Sequence, residues 1–479
     1  MKIAFVSFEV YPLAKVGGLA DVAGSLPKAL KKKGMDVSIF MPYHKIVRGN
    51  IKKFNLEVKK VIDDFDLGIG TDQKASIYKT NLPETDIPIY LVSNDYYFSS
   101  DDVYGSPDGG QQAIFFTKAV IDSIKKLGMH FDVIHANDWQ TGLLPVYLKT
   151  LYRDDPYFSD FSTIYTIHNL GYQGVFDRSY MDFAKLPDYV FNMDGIEFYG
   201  QINFMKGGIL FSDIVNTVSP TYAEEIKTPE YGEKLEGVLQ LRKDVLYGVL
   251  NGIDYVENNP ETDKRIPYNY SVNALDGKKK NKMSLKKELN LKVDDSPLIG
   301  LVSRLFDQKG LDLVDEIMRY VIASCDVSFV LLGTGESKYE NAFLNLAKEF
   351  PQKVAVKIGF DVNLAQRIYA SSDFFLMPSR YEPCGLGQMY SLRYGTIPIV
   401  RYTGGLADTV SEFDERSGNG FGFKNYDSSY LLKSILKALY YYKQDDYMSA
   451  LIKNAMNTDL SWERSAAEYV KLYELSKAR

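Results

Sequence analysis

Short apolar runs alternate with amphipathic segments along the first half of the chain. Residues 3–8 are almost continuously apolar and predict a buried strand; residues 20–33 carry apolar positions at helical spacing and predict a helix. Further strands are expected over residues 36–41, 87–92, 133–135 and 163–167, with a helical pattern over 111–127 between them. The second half opens near Val249-Leu250-Asn251-Gly252-Ile253-Asp254 and crosses a polar stretch over 257–287, where Lys278-Lys279-Lys280 reads as a solvated face. The alternation then resumes, with strands over 298–302, 329–332, 354–358 and 374–378. A helix starting near Gly385 runs to Tyr394, a strand covers 397–400, and Gly404-Gly405 opens another helix. Such alternation predicts an α/β protein of doubly wound sheets, with ligands at the carboxyl ends of the strands.

Length turns this into two domains, because 479 residues exceed what one core usually supports. A 45% hydrophobic and 25% charged composition is ordinary for a globular protein, and a net charge of −6 argues against a nucleic-acid partner. The 36 tyrosines carry no weight, since a coding bias explains them as well as sugar stacking does. Cys325 and Cys384 form no disulfide framework, which makes a reducing cytoplasm the simpler compartment. Met1-Lys2 ahead of an apolar run could pass for a signal peptide, but Glu9 and Pro12 cut the run short, and no stretch approaches the ~20 apolar residues of a membrane span.

The candidate chemistry lies in loops that follow the expected strands. Glu382-Pro383-Cys384-Gly385-Leu386 and Thr403-Gly404-Gly405 each precede a helix, where unpaired amides and the helix dipole favour an anion. Gly17-Gly18-Leu19-Ala20-Asp21 recurs as Gly404-Gly405-Leu406-Ala407-Asp408, one copy in each half. Arg304 and Lys309 follow the strand at 298–302 and are candidates for a diphosphate clamp, Arg as a planar fork and Lys as a movable charge; either alone reads more readily as a surface charge, and only their placement together beyond one strand's end brings the two readings level. An ordinary β-α-β crossover also places glycines after strands. The four histidines, at 44, 130, 135 and 168, have no zinc spacing, so no metal is expected. Asp63-Asp64-Phe65-Asp66 reads as a solvated loop, and Gly333-Thr334-Gly335 lacks the third glycine of a dinucleotide fingerprint.

Taken together, Lys15 to Asp21, His135-Ala136-Asn137-Asp138-Trp139-Gln140-Thr141-Gly142-Leu143, Thr166-Ile167-His168-Asn169, Asn251-Gly252-Ile253-Asp254, Glu382 to Leu386 and Thr403 to Asp408 resemble the bacterial glycogen synthases, the ADP-glucose-using branch that includes plant starch synthases. The resemblance runs from residue 1 to Ser461-Trp462-Glu463. It implies a GT-B architecture of two Rossmann-like domains facing across a cleft, over residues 1–247 and 248–456, with residues 457–479 crossing back to the first. It implies transfer of glucose from ADP-glucose to the non-reducing end of an α-1,4-glucan (glycogen), with retention, no metal and no cofactor, in the cytoplasm, with no nucleic-acid or membrane partner.

By the same resemblance, Lys15 with Gly17 and Gly18 meets the diphosphate from one domain and Arg304 with Lys309 from the other, while Asp21 supports its loop. The amides of Gly385 and Leu386 add phosphate contacts, and the glycine-loop positions Gly333, Gly404 and Gly405 belong to the substrate-binding set. Glu382 and Cys384 lie against glucose, Phe360 stacks near adenine, and His168, Asn169, Asp138 and Asn251 line the sugar and acceptor side. The catalytic set is Lys15, His168, Arg304, Lys309 and Glu382, with Glu382 positioning sugar rather than attacking it. Gly387 and Asn137 depart from the Thr and His usual at those places, and Tyr390 replaces the second Glu of a wider group of retaining transferases. Three alternatives stay open: a related transferase using UDP-glucose or another acceptor, a glucan phosphorylase needing pyridoxal phosphate, and a silent glucan-binding protein with no use for a diphosphate clamp.

Overall fold

The computed structural model describes residues 1–106 and 108–478. Its backbone gathers into two compact units, one of Met1–Gly252 with the chain from Trp462 onward, the other of Ile253–Ser461. Hydrogen bonds explain the crossings. Val249 N still donates to Thr217 O (2.9 Å) within the first unit, whereas Ile253 N donates to Leu460 O (2.9 Å) and Leu460 N to the Tyr255 hydroxyl (2.8 Å) within the second.

The described strands of the first unit are β1 (Lys2–Val6), β2 (Asp36–Pro42), β3 (Lys59–Phe65), β4 (Ala75–Asn81), β5 (Pro88–Ser93), β6 (Val133–Asn137), β7 (Ser162–Ile167), β8 (Val175–Phe176), β9 (Glu197–Phe198), β10 (Gln201–Asn203), β11 (Ile214–Thr217) and β12 (Leu246–Gly248). Apart from a small antiparallel sheet of β8, β10 and β9, they form one sheet in the order β12-β11-β7-β6-β1-β2-β5-β4-β3. It is parallel from β12 to β5 and antiparallel at the β4 and β3 edge. The central strands β6 and β7 are buried throughout, as expected when helices cover both faces of a parallel sheet. The stretch Asp63-Asp64-Phe65-Asp66, expected as a loop, instead runs through Phe65 as part of edge strand β3. Its carboxylates stay solvated because Asp63 and Asp64 are exposed on that edge, where charge also discourages pairing with a second chain.

The helix Trp462–Lys477 belongs to this unit because Trp462, Ala466, Tyr469, Leu472 and Tyr473 are buried along one side of it. Two of its tyrosines complete a polar network inside the sheet. The Tyr473 hydroxyl meets His135 Nδ1 (2.9 Å), His135 Nε2 meets Thr166 Oγ1 (2.6 Å), and Asn216 Nδ2 donates to the Tyr469 hydroxyl (3.2 Å). Burial lowers the His135 pKa to about 3, so the ring is neutral and satisfied as a structural group.

The second unit holds β13 (Leu298–Val302), β14 (Ser328–Gly333), β15 (Val354–Ile358), β16 (Phe374–Met377), β17 (Ile397–Arg401) and β18 (Phe421–Phe423), all parallel in the order β15-β14-β13-β16-β17-β18. The helix expected from Gly385 begins at Gly387, because Gly385 takes φ +75°, outside the right-handed helical region.

The lysine-rich stretch is where the sequence misleads most. Lys278 lies on the helix Asp276–Glu288 and, with Lys282 and Lys286, is buried. Its Nζ donates to Tyr394 O (3.0 Å), Ala370 O (3.3 Å) and Thr396 Oγ1 (2.8 Å). The first two carbonyls close the helices Gly387–Arg393 and Val362–Ser371, whose negative ends favour a cation. Lys282 reaches Asp373 Oδ2 (3.2 Å) and the Tyr442 hydroxyl (2.6 Å), and Lys286 reaches Asp294 Oδ1 (3.0 Å) and Ser296 O (2.8 Å). Four-residue spacing puts the three ammoniums on the inner face while their methylene stems pack as apolar groups. Lys279, Lys280 and Lys287 are the exposed lysines of this helix.

Burial draws Lys278 down from the ordinary 10.5 to about 7, against the opposing pull of Asp373. Between those values the unfolded chain binds a proton that the folded chain has released, so the folded state gains stability as pH rises through the window and loses it as pH falls toward 7. In urea titrations the gap in stability between the wild type and Lys278→Met is therefore expected to move in favour of the wild type from pH 7 to 9.5. Parallel profiles for the two proteins would show that Lys278 stays charged throughout.

Candidate functional site

Strand order reverses between β1 and β6 in the first unit and between β13 and β16 in the second. Loops leaving neighbouring strands there diverge to opposite faces, opening a crevice at their carboxyl ends where ligands of doubly wound sheets bind. The motif residues follow those strands. Lys15, Gly17 and Gly18 follow β1 and Asp138 follows β6; Arg304 and Lys309 follow β13, and Glu382, Cys384, Gly385 and Leu386 follow β16.

In the first unit, Lys15 Nζ pairs with Asp21 Oδ1 at 2.6 Å, the lysine side chain remaining 41% exposed and thus open to a ligand. Burial pushes the Asp21 pKa up, and the Lys15 ammonium beside it opposes that rise. Glu9, which the motifs do not single out, holds the loop. Its Oε2 accepts from the amides of Val16 and Gly17, the latter at 3.0 Å, and its Oε1 accepts from the Tyr104 hydroxyl at 2.9 Å. Glu9 is 2% exposed, and a carboxylate inside an apolar opening stretch was the available signal. The Gly17 amide is therefore spent on Glu9. The helix begins one residue later, at Gly18.

Asp138 adopts φ +57°, a sharp turn for a residue with a side chain, and this sets its carboxylate against the next loop. Oδ1 accepts from the His168 amide at 2.8 Å, and the Asn169 amide also donates to this carboxyl group. Burial raises Asp138 to about 7 even against those two donors, and burial lowers His168 to about 3. His168 Nε2 meets Asn137 Oδ1 at 2.9 Å. Asn169 Oδ1 caps its own turn by accepting from Gly171 N (3.0 Å). Asn251 is 7% exposed with no hydrogen-bond partner on Oδ1 among the described residues, which leaves a buried acceptor needing a donor.

In the second unit, Lys309 Nζ meets Glu382 Oε2 at 2.6 Å, and Ser379 Oγ donates to the same oxygen at 3.0 Å. Both side chains of the ion pair are largely buried, at 18% and 8% exposure. Arg304 is exposed, with its guanidinium 5.8 Å from the Phe306 ring centre. The amides of Gly385 and Leu386 donate to no protein acceptor among the described residues. Cys384 is buried and unoxidised, and Phe360 is 85% exposed.

The other glycines serve close packing. A Cβ on Gly404 would stand 2.0 Å from Glu382 O, one on Gly405 2.1 Å from Cys384 O, and one on Gly333 2.1 Å from Ser303 O. Gly405 N donates to Glu382 O (3.1 Å), so its amide anchors the Glu382 loop. A Cβ on Gly387 would lie tight against Phe375 Cε1 (3.1 Å) and Met377 Sδ (3.2 Å). Among the described residues no three His, Cys, Asp or Glu side chains group as a metal ion requires, and no helix is long and apolar enough to cross a membrane.

Comparison with known proteins adds a family to this geometry. Residues 2–241 match the model of the starch synthase catalytic domain, and residues 283–457 that of the glycosyl transferases group 1. The chain is 60% identical over 479 residues to a glycogen synthase of Pseudothermotoga lettingae, covering 99% of this chain and 98% of that protein. It is 60% identical over 484 residues to one of Thermotoga maritima, covering 100% and 99%. The catalytic domain of starch synthase IV from Arabidopsis thaliana, bound to ADP and acarbose, superposes with a TM-score of 0.91 at 31% identity, covering 100% of this chain and 99% of that one. A sucrose-phosphate synthase of Thermosynechococcus elongatus, at 18% identity and TM-score 0.60 over 100% and 99% of the two chains, shares the fold.

Removing the Glu9 carboxylate takes a shared acceptor from two loop amides and the Tyr104 hydroxyl, a net loss of about 1 kcal/mol for each hydrogen bond. Glu9→Ala is expected to speed hydrogen exchange at Val16 and Gly17 by at least about tenfold relative to strand amides of β6, the loop opening locally. Equal exchange in the two proteins would show that the loop holds itself without Glu9.

Proposed function

The chain belongs to the glycogen and starch synthase family of glycosyltransferases, and from that membership we propose that it lengthens α-1,4-glucans by moving glucose from ADP-glucose to a non-reducing chain end. The observation that carries this reading is the second unit's switch-point cluster. A buried lysine and carboxylate at 2.6 Å stand beside two unspent amides, at the strand ends where a nucleotide sugar would place its phosphates and its glucose.

Breaking the glycosyl–phosphate bond leaves positive charge on the anomeric carbon and an additional negative charge on the departing ADP. Fixed cations at the diphosphate stabilise that separation more than they stabilise the bound substrate, and this preorganised field is the largest catalytic term. Lys309, Arg304 and the amides of Gly385 and Leu386 supply it in the second unit; Lys15, paired with Asp21, is the first unit's candidate for the diphosphate. Glu382, fixed by Lys309 and Ser379, accepts from the glucose hydroxyls, with Cys384 against the same sugar. Phe360 offers an exposed ring to adenine. His168, Asn169, Asp138 and Asn251 line the sugar and acceptor side, and Gly17, Gly18, Gly333, Gly404 and Gly405 allow the backbones around them to approach closely. The glucosyl group keeps its configuration, with departure and attack on one face and the leaving phosphate taking the acceptor's proton. No metal ion or other cofactor takes part. The cytoplasm, where Cys325 and Cys384 remain thiols, is the compartment.

A glucan-elongation assay with ADP-glucose and UDP-glucose, each with and without EDTA, tests the reading. Elongation from ADP-glucose at a rate EDTA does not change is expected; no elongation from either donor, or loss with EDTA, would overturn it. Lys309→Ala and Arg304→Ala are expected to lower kcat by roughly 10²–10³, the size of one lost transition-state donor. Lys15→Ala is expected to cut turnover far more than glucan binding, and equal loss of both would remove it from the diphosphate. Glu382→Ala is expected to slow transfer while the product stays α; a trapped glucosyl-enzyme would replace the same-face mechanism with a covalent one.

A further inference from the structure

We propose that Asn137 is a positioning residue that holds His168 in the Nε2–H tautomer, so that the ring presents its Nδ1 lone pair as an acceptor for a hydroxyl of the bound sugar. Asn137 is fully buried at the end of β6, and its two amide atoms face different partners. The nitrogen lies 3.1 Å from Val6 O and 3.4 Å from His135 O. Both are carbonyls and can only accept, so the NH₂ group must point at them and the amide has no freedom to flip. Oδ1 is thereby turned to His168 Nε2 at 2.9 Å. A carboxamide oxygen only accepts, so Nε2 must carry the proton.

The rest of the ring's setting completes the assignment. Burial keeps the imidazole neutral near pH 7, so a ring protonated at Nε2 has none on Nδ1. Nδ1 meets no protein donor among the described residues. The His168 backbone is pinned independently, because its amide donates to Asp138 Oδ1 at 2.8 Å, and Asp138 follows Asn137 directly. Two consecutive residues at one strand end thus fix both the position of the histidine and which of its nitrogens is basic. A hydroxyl-bearing ligand matches such a lone pair, since every sugar hydroxyl can donate.

The tautomer follows from the protein alone; its use toward a sugar rests on the proposed glucosyl transfer. The full-length chain labelled with ¹⁵N-histidine contains only four imidazoles, and long-range ¹H–¹⁵N spectra separate an N–H nitrogen from a lone-pair nitrogen in each. The wild type is expected to show His168 protonated at Nε2 and bare at Nδ1 at neutral pH. Asn137→Leu, which removes the acceptor, is expected to give a mixture of tautomers. Asn137→Asp keeps an oxygen toward the ring, with any proton on the Val6 side, and is expected to retain the wild-type pattern. A wild-type ring protonated at Nδ1, or charged, overturns the proposal, as does an unchanged His168 spectrum in Asn137→Leu. Should Asn137→Leu fail to fold, the wild-type and Asn137→Asp spectra decide.

In the elongation assay, Asn137→Leu is expected to lose roughly tenfold in kcat, the size of one hydrogen bond, with KM for the nucleotide sugar nearly unchanged and with Asn137→Asp recovering most of the rate. If no nucleotide sugar supports elongation, the functional reading fails while the tautomer result stands. If elongation proceeds and Asn137→Leu keeps the wild-type rate, the inference fails and the functional reading stands.

Discussion

A polar group taken out of water must find a partner inside the protein, and this constraint shapes every part of the molecule that matters for function. It is most demanding at the carboxyl ends of parallel strands, where the chain leaves the hydrogen-bond ladder and turns while still half buried. Here the turning amides are met by carboxylates. Glu9 takes those of Val16 and Gly17 after β1, and Asp138 takes that of His168 after β7. After β16 the roles invert, and the buried carboxylate of Glu382 is itself met by Lys309 and Ser379.

The same accounting separates groups that are spent from groups that are available. Gly17 and Gly405 both look like anion-binding positions, yet each has its amide committed to a protein oxygen. Gly385 and Leu386 do not, and the left-handed turn at Gly385 is what frees them. The two copies of Gly-Gly-Leu-Ala-Asp are therefore alike in sequence and unlike in work. In the first, Gly17 sits at φ −130° ahead of a fifteen-residue helix that carries Asp21 to Lys15. In the second, Gly404 turns at φ +44° so that a six-residue helix can lie against the Glu382–Cys384 backbone. The repeated motif thus serves two different needs: a Cβ on Gly405 would strike the Cys384 backbone at 2.1 Å, whereas one on Gly17 would meet only the Glu9 side chain at 3.5 Å.

The lysines of the helix Asp276–Glu288 follow the same rule in the opposite direction. Three ammoniums that could have stayed in water are drawn inside because carbonyls at two helix ends, a threonine hydroxyl, a tyrosine hydroxyl and two carboxylates receive them. Their apolar stems supply the packing, and their spacing puts all three on one side. Composition alone could not have distinguished this from a solvated surface, since lysine at every fourth position suits either face of a helix.

What the chain itself determined is whatever depends on neighbours close in sequence. Apolar runs located β1, β2, β5, β6, β7 and β13 to β17 with a few of the helices between them, while strands β3, β4, β12 and β18 and most helices left no such mark; glycine, lysine and acidic residues after the strands marked the loops that bear Lys15, Asp138, Arg304, Lys309 and Glu382. Tertiary structure decided which of those groups meet. Glu9 and Tyr104 are 95 residues apart, Asn137 and His168 31 apart, and Lys278 and Tyr394 116 apart. Strand order sets those encounters, bringing β1 beside β6 and β13 beside β16, and no local pattern encodes it. Hydrogen bonds act over about 3 Å, so the commitment of a given amide, carboxylate or imidazole nitrogen is settled only when the sheet has assembled around it.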